Sequence, residues 1–153
     1  MSRLKENLAK GNFVVTSEIG PPKGTDIEKH LAKAEQIKEK VVAVNVTDLQ
    51  SAVMRAGSLA TCHLLHTRGV EPVYQLTCRD RNRLALQSDL LSAWILGIEN
   101  VLCLTGDHPA LGDHPEAKPV FDLIRSSFCK RQVCSIPAKI SPGTRLKGPR
   151  IFS

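Results

Sequence analysis

Four short β-rich segments, Phe13–Ile19, Val41–Val46, Pro72–Leu76 and Asn100–Leu104, recur along the first two thirds of the chain and constrain its fold more than any other feature. Val, Ile and Leu dominate them with little alternation, the pattern of strands buried on both faces of a parallel sheet. A helical pattern separates each pair. Ile27, Leu31, Ala34 and Ile37 share one face of the first helix, and Thr25 with Glu28 forms a capping box at its start. The second helix is expected to carry Val53, Ala56, Ala60 and Leu64, with Gly69 at its end. The third is expected to begin near Asp80, to bury Leu84, Leu91 and Ile95, and to stop at Gly97. Strand starts near positions 13, 41, 72 and 100 match the roughly 30 residues of one strand–helix–strand unit. Four such units without hairpin signals predict either a (β/α) barrel or a doubly wound sheet. A complete eight-unit barrel needs about 250 residues, so 153 residues allow a part of one.

The pattern stops near Leu123. Residues 124–153 contain Pro137, Pro142 and Pro149, seven cations and no Asp or Glu. The chain's net charge of +6 therefore leaves −1 for residues 1–123. Two units are expected: 1–123 as a partial barrel and 124–153 as an irregular, basic tail. A basic tail could meet phosphates, but Phe128 and Phe152 are its only aromatics and nothing in it would read bases. No apolar run approaches the ~18 residues that span a bilayer, and residues 1–10 carry charges of both signs rather than a secretory signal. A cytoplasmic protein is expected. The five cysteines form no Cys-x-x-Cys, and Cys62 and Cys103 read as small core hydrophobes.

In parallel α/β folds ligands bind beyond the carboxyl ends of the strands. Reading there gives Glu18 followed by Gly20-Pro21-Pro22-Lys23-Gly24, then Asn45, Thr47 and Asp48, then Gln75, Thr77, Cys78 and Asp80, then Thr105, Gly106, Asp107 and His108. Glu18 ends an apolar strand beside a rigid turn. A carboxyl in a partly desolvated mouth keeps its proton toward neutral pH and can act as a general acid. The alternative is a carboxylate that merely ties down a loop. Thr47, Asp48, Asp80 and Asp107 are equally suited to capping a helix or turn. Gly106 permits close backbone approach. His63 and His66 share a helix face, yet no third ligand stands at a metal-binding spacing, and no phosphate-binding glycine loop occurs.

Taken in order, these words resemble the methylenetetrahydrofolate reductase family. They are Glu18-Ile19-Gly20-Pro21-Pro22, Asn45-Val46-Thr47-Asp48, Gln75-Leu76-Thr77-Cys78-Arg79-Asp80, Leu104-Thr105-Gly106-Asp107-His108-Pro109 and Lys118-Pro119-Val120-Phe121-Asp122. The resemblance implies a TIM (β/α)8 barrel, present here as about four βα units. It implies an FAD-dependent oxidoreductase that reduces 5,10-methylenetetrahydrofolate to 5-methyltetrahydrofolate with electrons from a reduced nicotinamide or another donor. Glu18 matches the family's general acid, which helps open the folate ring to a cationic iminium that accepts hydride. Asp107 matches an aspartate beside the flavin that also helps hold the pterin. Thr47, Asp48, Gln75, Thr105 and Gly106 match flavin-lining positions. Gln75 and Thr105 stand where many bacterial members have His and Arg. A half barrel exposes a sheet edge, which implies self-association or a partner chain. The alternative is an inactive truncated fragment or a non-catalytic partner subunit.

Overall fold

The computed structural model describes residues 1–123; the basic tail expected over 124–153 lies outside the described residues. The element order is α1 (Arg3–Ala9), β1 (Thr16–Ile19), α2 (Glu28–Ile37), β2 (Ala43–Val46), α3 (Ser58–Thr67), β3 (Pro72–Thr77), α4 (Arg83–Ile95) and β4 (Asn100–Leu104). Short 3₁₀ turns lie at Gln50–Ala52 and Pro109–Leu111. All strand pairs are parallel, and the sheet order is β1-β2-β3-β4. A doubly wound sheet reverses its strand order at a switch point. This sheet never reverses, so the four βα units form part of a barrel.

Register decides which residues face which side. Glu18 pairs with Asn45, Asn45 with Val73, and Val73 with Asn100. Side chains alternate along each strand, so Glu18, Asn45, Thr47, Gln75, Thr77 and Leu104 share one face. The opposite face carries Ile19, Val44, Val46, Tyr74, Leu76 and Cys103, all buried against Leu31, Ala34, Cys62, Leu65, Leu86, Leu90 and Ala93 of the helices. The helix-side face is thus the core, and the other face is mainly polar, with Val73, Leu102 and Leu104 among the polar residues. Burial on both faces holds only for the middle of the sheet. β3 is buried at all six positions, whereas β1 and β4 are open at several, and Phe13 and Val15 before β1 are exposed. These two strands have a neighbour on one side only among the described residues, which leaves their inner-face side chains uncovered.

Helix α2 buries Leu31 and Ala34 as expected, with Ile27 and Ile37 packed at the margin. Its capping box does not form: Ile27 occupies the N-cap position, and no side chain caps the helix. The expected face of the second helix is wrong. Val53 and Ala56 precede α3, which buries Ser58, Thr61, Cys62 and Leu65. The cause is the loop after β2, where Leu49, Ser51 and Ala52 adopt positive φ and delay the helix until Gly57. In α4 the buried residues are Leu86, Leu90 and Ala93, while Leu84, Leu91 and Ile95 are exposed. Both sets have helical spacing, so periodicity alone had two solutions. Asn82, rather than Asp80, caps this helix, its side chain accepting the Ala85 amide at 3.0 Å. Gly69 and Gly97 do end α3 and α4. Each takes positive φ, and the following residue donates back to the last helical turn (Val70 to Leu65, Ile98 to Ala93).

Helix α1 closes the amino ends of the strands. Glu71, just before β3, accepts the Arg3 and Leu4 amides at 2.8 and 2.9 Å, a carboxylate on a helix N-terminus. The N-cap Ser2 hydroxyl accepts the Lys5 amide and donates to Asn100 at the start of β4. With that end closed, the carboxyl ends of the strands form the open rim.

Candidate active-site rim

The rim is held by two arginines directly after β3. Arg81 donates to Asp48 Oδ2 at 2.7 Å and to Asp89 Oδ2 at 2.8 Å. Asp48 is fully buried and also accepts the Thr77 amide and the Thr77 hydroxyl at 2.9 Å each, and the Ser58 hydroxyl at 3.1 Å. One carboxylate thereby joins the end of β2, the end of β3 and the first turn of α3. Burial works against the charge of Arg81, but the Asp48 carboxylate, with smaller help from Tyr74 and Asp89, outweighs it and raises the guanidinium pKa. Asp48 therefore spends its oxygens inside the protein, and its contribution to the rim is to hold it together. Burial, followed by the charge of Asp48, pushes the Cys62 thiol up, which fits its place in the core.

Arg79 forms the second hub. Its Nε and Nη2 clasp the Asp80 carboxylate at 2.8 and 2.7 Å. Its Nη1 donates to the Asp107 carbonyl at 3.0 Å, and Nη2 reaches the Leu49 carbonyl at 3.4 Å. Asp80 is consequently the counter-ion of Arg79. Neither arginine was singled out from the sequence. The available signal was Arg79-Asp80-Arg81 following a strand of six buried residues, where unpaired charge is costly.

Asp107 is exposed at the end of the β4 loop, and its Oδ2 accepts the Ser51 amide at 3.0 Å. Gly106 before it has φ +88, and a Cβ there would meet Arg79 Cβ at 3.1 Å and Thr77 Cβ at 3.2 Å. Only glycine suits both the backbone angle and the space. Further along, Asp113 accepts the Met54 amide at 2.9 Å and stands 3.7 Å from Lys23. The Met54 bond, with smaller help from nearby charges, lowers the Asp113 pKa. Pro21 and Pro22 carbonyls accept from Arg55 and from the Ala56 amide. The loops after β1, β2 and β4 are thus laced to one another.

Of the other expected site residues, Thr47 and Gln75 are buried on the polar face, and Thr105 is exposed beside Gly106. The Thr47 hydroxyl is buried without a hydrogen-bond partner among the described residues. Glu18 shares this face but is exposed, so residues 1–123 do not supply the desolvated mouth expected around it. The rim thus carries exposed carboxyl groups on opposite sides, Glu18 on β1 and Asp107 after β4, with Thr47 and Gln75 between them. No group of three or more His, Cys, Asp or Glu among the described residues is placed to hold a metal ion.

Comparison with known proteins supplies the lineage. The family model for methylenetetrahydrofolate reductase matches residues 3–131, more than half of the chain. The chain belongs to the methylenetetrahydrofolate reductase family. Among curated proteins, a 5,10-methylenetetrahydrofolate reductase of Pectobacterium carotovorum subsp. carotovorum is 29% identical over 119 residues. That match covers 74% of this chain and 40% of the bacterial protein, so the chain corresponds to only part of this relative's length. Family membership identifies the half barrel as part of the reductase TIM-barrel fold. No helix among the described residues is long and apolar enough to cross a membrane.

Proposed function

We propose that the rim is the folate- and flavin-facing half of a methylenetetrahydrofolate reductase site, reducing 5,10-methylenetetrahydrofolate to 5-methyltetrahydrofolate. The observation that carries this reading is the register-aligned polar face, with Glu18 and Asp107 at the same open rim and Thr47 and Gln75 between their strands. The donor set suits an FAD ring system. Thr47 offers a hydroxyl unsatisfied among the described residues, and Gln75 both a donor and an acceptor. Arg79 and Arg81 are committed to carboxylates, so neither of these two arginines is offered to a ligand.

When bound, the flavin supplies hydride chemistry, and the protein supplies orientation and proton handling. Glu18, free of internal ion pairs among the described residues, is the group that would pass a proton to the folate's bridging nitrogen as the ring opens, once a second half barrel covers it. Asp107 balances the positive charge that develops on the pterin side. Asp48 acts one step removed, by fixing the ends of β2 and β3. The electrons for that hydride would come from reduced nicotinamide or another two-electron donor.

The exposure of β1 and β4 supports a further reading, that a second half barrel, from another copy or a partner chain, completes the site. A non-catalytic subunit would share these edges but not the turnover. Absorption spectroscopy of the purified chain after FAD addition and desalting, run with light scattering, tests both. Retained flavin near one per chain, in a species larger than one chain, supports the site and its completion. A flavin-free monomer removes catalysis by this chain. Where turnover of methyltetrahydrofolate with an artificial acceptor is found, Glu18→Gln abolishes it and leaves flavin retention unchanged. Equal activity removes Glu18 from the mechanism.

A further inference from the structure

We propose that Arg79 is a positioning residue that sets where the Asp107 carboxylate stands on the rim. The inference rests on the reading of Asp107 as a ligand-facing aspartate and extends it to a residue that touches no ligand itself. Arg79 is nearly fully buried, and each of its polar side-chain atoms is bonded to protein. Its planar fork is locked by the two bonds to Asp80, which aims the remaining N–H groups at two carbonyls on different loops. One carbonyl belongs to Asp107 itself and the other to Leu49.

The circuit closes through a third contact. Asp107 Oδ2 accepts the Ser51 amide, two residues along the same loop as Leu49. Arg79 therefore holds the main chain at one end of the Asp107 side chain and the loop that receives its other end. The β4 turn also leans on the stem of Arg79, since the site of a Gly106 Cβ lies 3.1 Å from Arg79 Cβ. The loop it holds is strained, with Leu49, Ser51 and Ala52 at φ 48, 58 and 57. Non-glycine residues persist in that region only when surrounding contacts over-determine them. Without the Arg79 fork, the loop relaxes and the Ser51 amide moves off Asp107.

Amide hydrogen exchange by NMR on the full chain tests this without requiring bound flavin. The Thr77 amide, bonded to Asp48 at 2.9 Å, is the internal control for intact structure. In Arg79→Lys, which keeps the charge and stem but loses the fork, Ser51 exchanges about tenfold faster while Thr77 is unchanged. Asp107→Ala, which removes the acceptor, gives the full loss of protection at Ser51. Asp80→Asn, which unlocks the fork but retains Arg79, gives an intermediate loss. Ser51 protection within twofold of the parent in Arg79→Lys overturns the proposal. So does a loss of protection at Thr77 in Arg79→Lys together with an unaltered Ser51 in Asp80→Asn, since Arg79 is then a general structural residue. FAD retention separates this inference from the site reading. Faster Ser51 exchange with weakened FAD binding supports both, and faster exchange with unchanged FAD binding supports Arg79 as the holder of Asp107 while refuting the flavin reading.

Discussion

Removing the charge of Asp48 should unfold the rim from its middle, and the cost can be worked from the contacts. The carboxylate accepts two bonds from Thr77, one from Ser58 and the Arg81 ion pair at 2.7 Å. Breaking a buried pair by deleting one partner costs about 3–5 kcal/mol. Arg81 retains Asp89 at 2.8 Å, which lowers the figure. In Asp48→Asn the amide oxygen can keep the Thr77 amide. The new NH₂ can donate to the Ser58 hydroxyl, which still has the Gln75 carbonyl at 3.0 Å to donate to. What Asn loses is chiefly the charge opposite Arg81, about 2 kcal/mol. Ala also strands the Thr77 amide and hydroxyl, bringing the loss to about 4 kcal/mol. With a slope of about 2 kcal/mol per molar urea, the unfolding midpoint falls by about 1 M for Asn and about 2 M for Ala. Urea titration followed by Trp94 fluorescence reads both. Glu28→Gln, which breaks only the exposed pair with Arg68, leaves the midpoint in place. Midpoints for Asn and Ala that both stay within about 0.3 M of the parent would refute the assignment of Asp48 as the strut of the rim.

Gly112→Ala tests how closely the β4 loop lies on the β2 loop. A Cβ there would run into the Ala52 carbonyl, so the two backbones must part and stability falls by about 1–3 kcal/mol, read as a lower Tm. Its φ of −103 suits any residue, so an unchanged Tm would show that the loops are not in contact. Asp122 gives a pH test. Its side-chain bonds to Arg83, with the Arg83 amide, hold its pKa down to about 2 from an ordinary 3.8. A depressed carboxylate stabilises the fold fully above the unfolded value, and this contribution is lost as pH falls through the folded value. The Tm gap between the parent and Asp122→Asn is therefore constant above pH 4, shrinks between 4 and 2, and vanishes below. A gap independent of pH would place its origin elsewhere than in the Asp122 charge.

Fold class and lineage were legible in the sequence because they rest on properties carried by local composition. Apolar segments every 30 residues with helical intervals dictate strand–helix units. The words at their ends, such as Thr105-Gly106-Asp107, mark the rim in the sequence itself. Ends of helices were legible where a single residue type is required, as at Gly69 and Gly97. Helix faces were less so. Leu84, Leu91 and Ile95 are as regularly spaced as Leu86, Leu90 and Ala93, and only the sheet's position selects between the two stripes. The choice between barrel and doubly wound sheet was equally a matter of strand order, which local pattern does not encode. Within the rim, the sequence showed which polar residues gather at strand ends but not which of them face one another. Asp48 and Asp107 are both acids just beyond a strand. Burial among Thr77, Ser58 and Arg81 makes the first a strut, and exposure beside a held loop leaves the second available to a ligand. That difference arises from contacts between residues 10 to 56 positions apart, which form only once the strands are side by side.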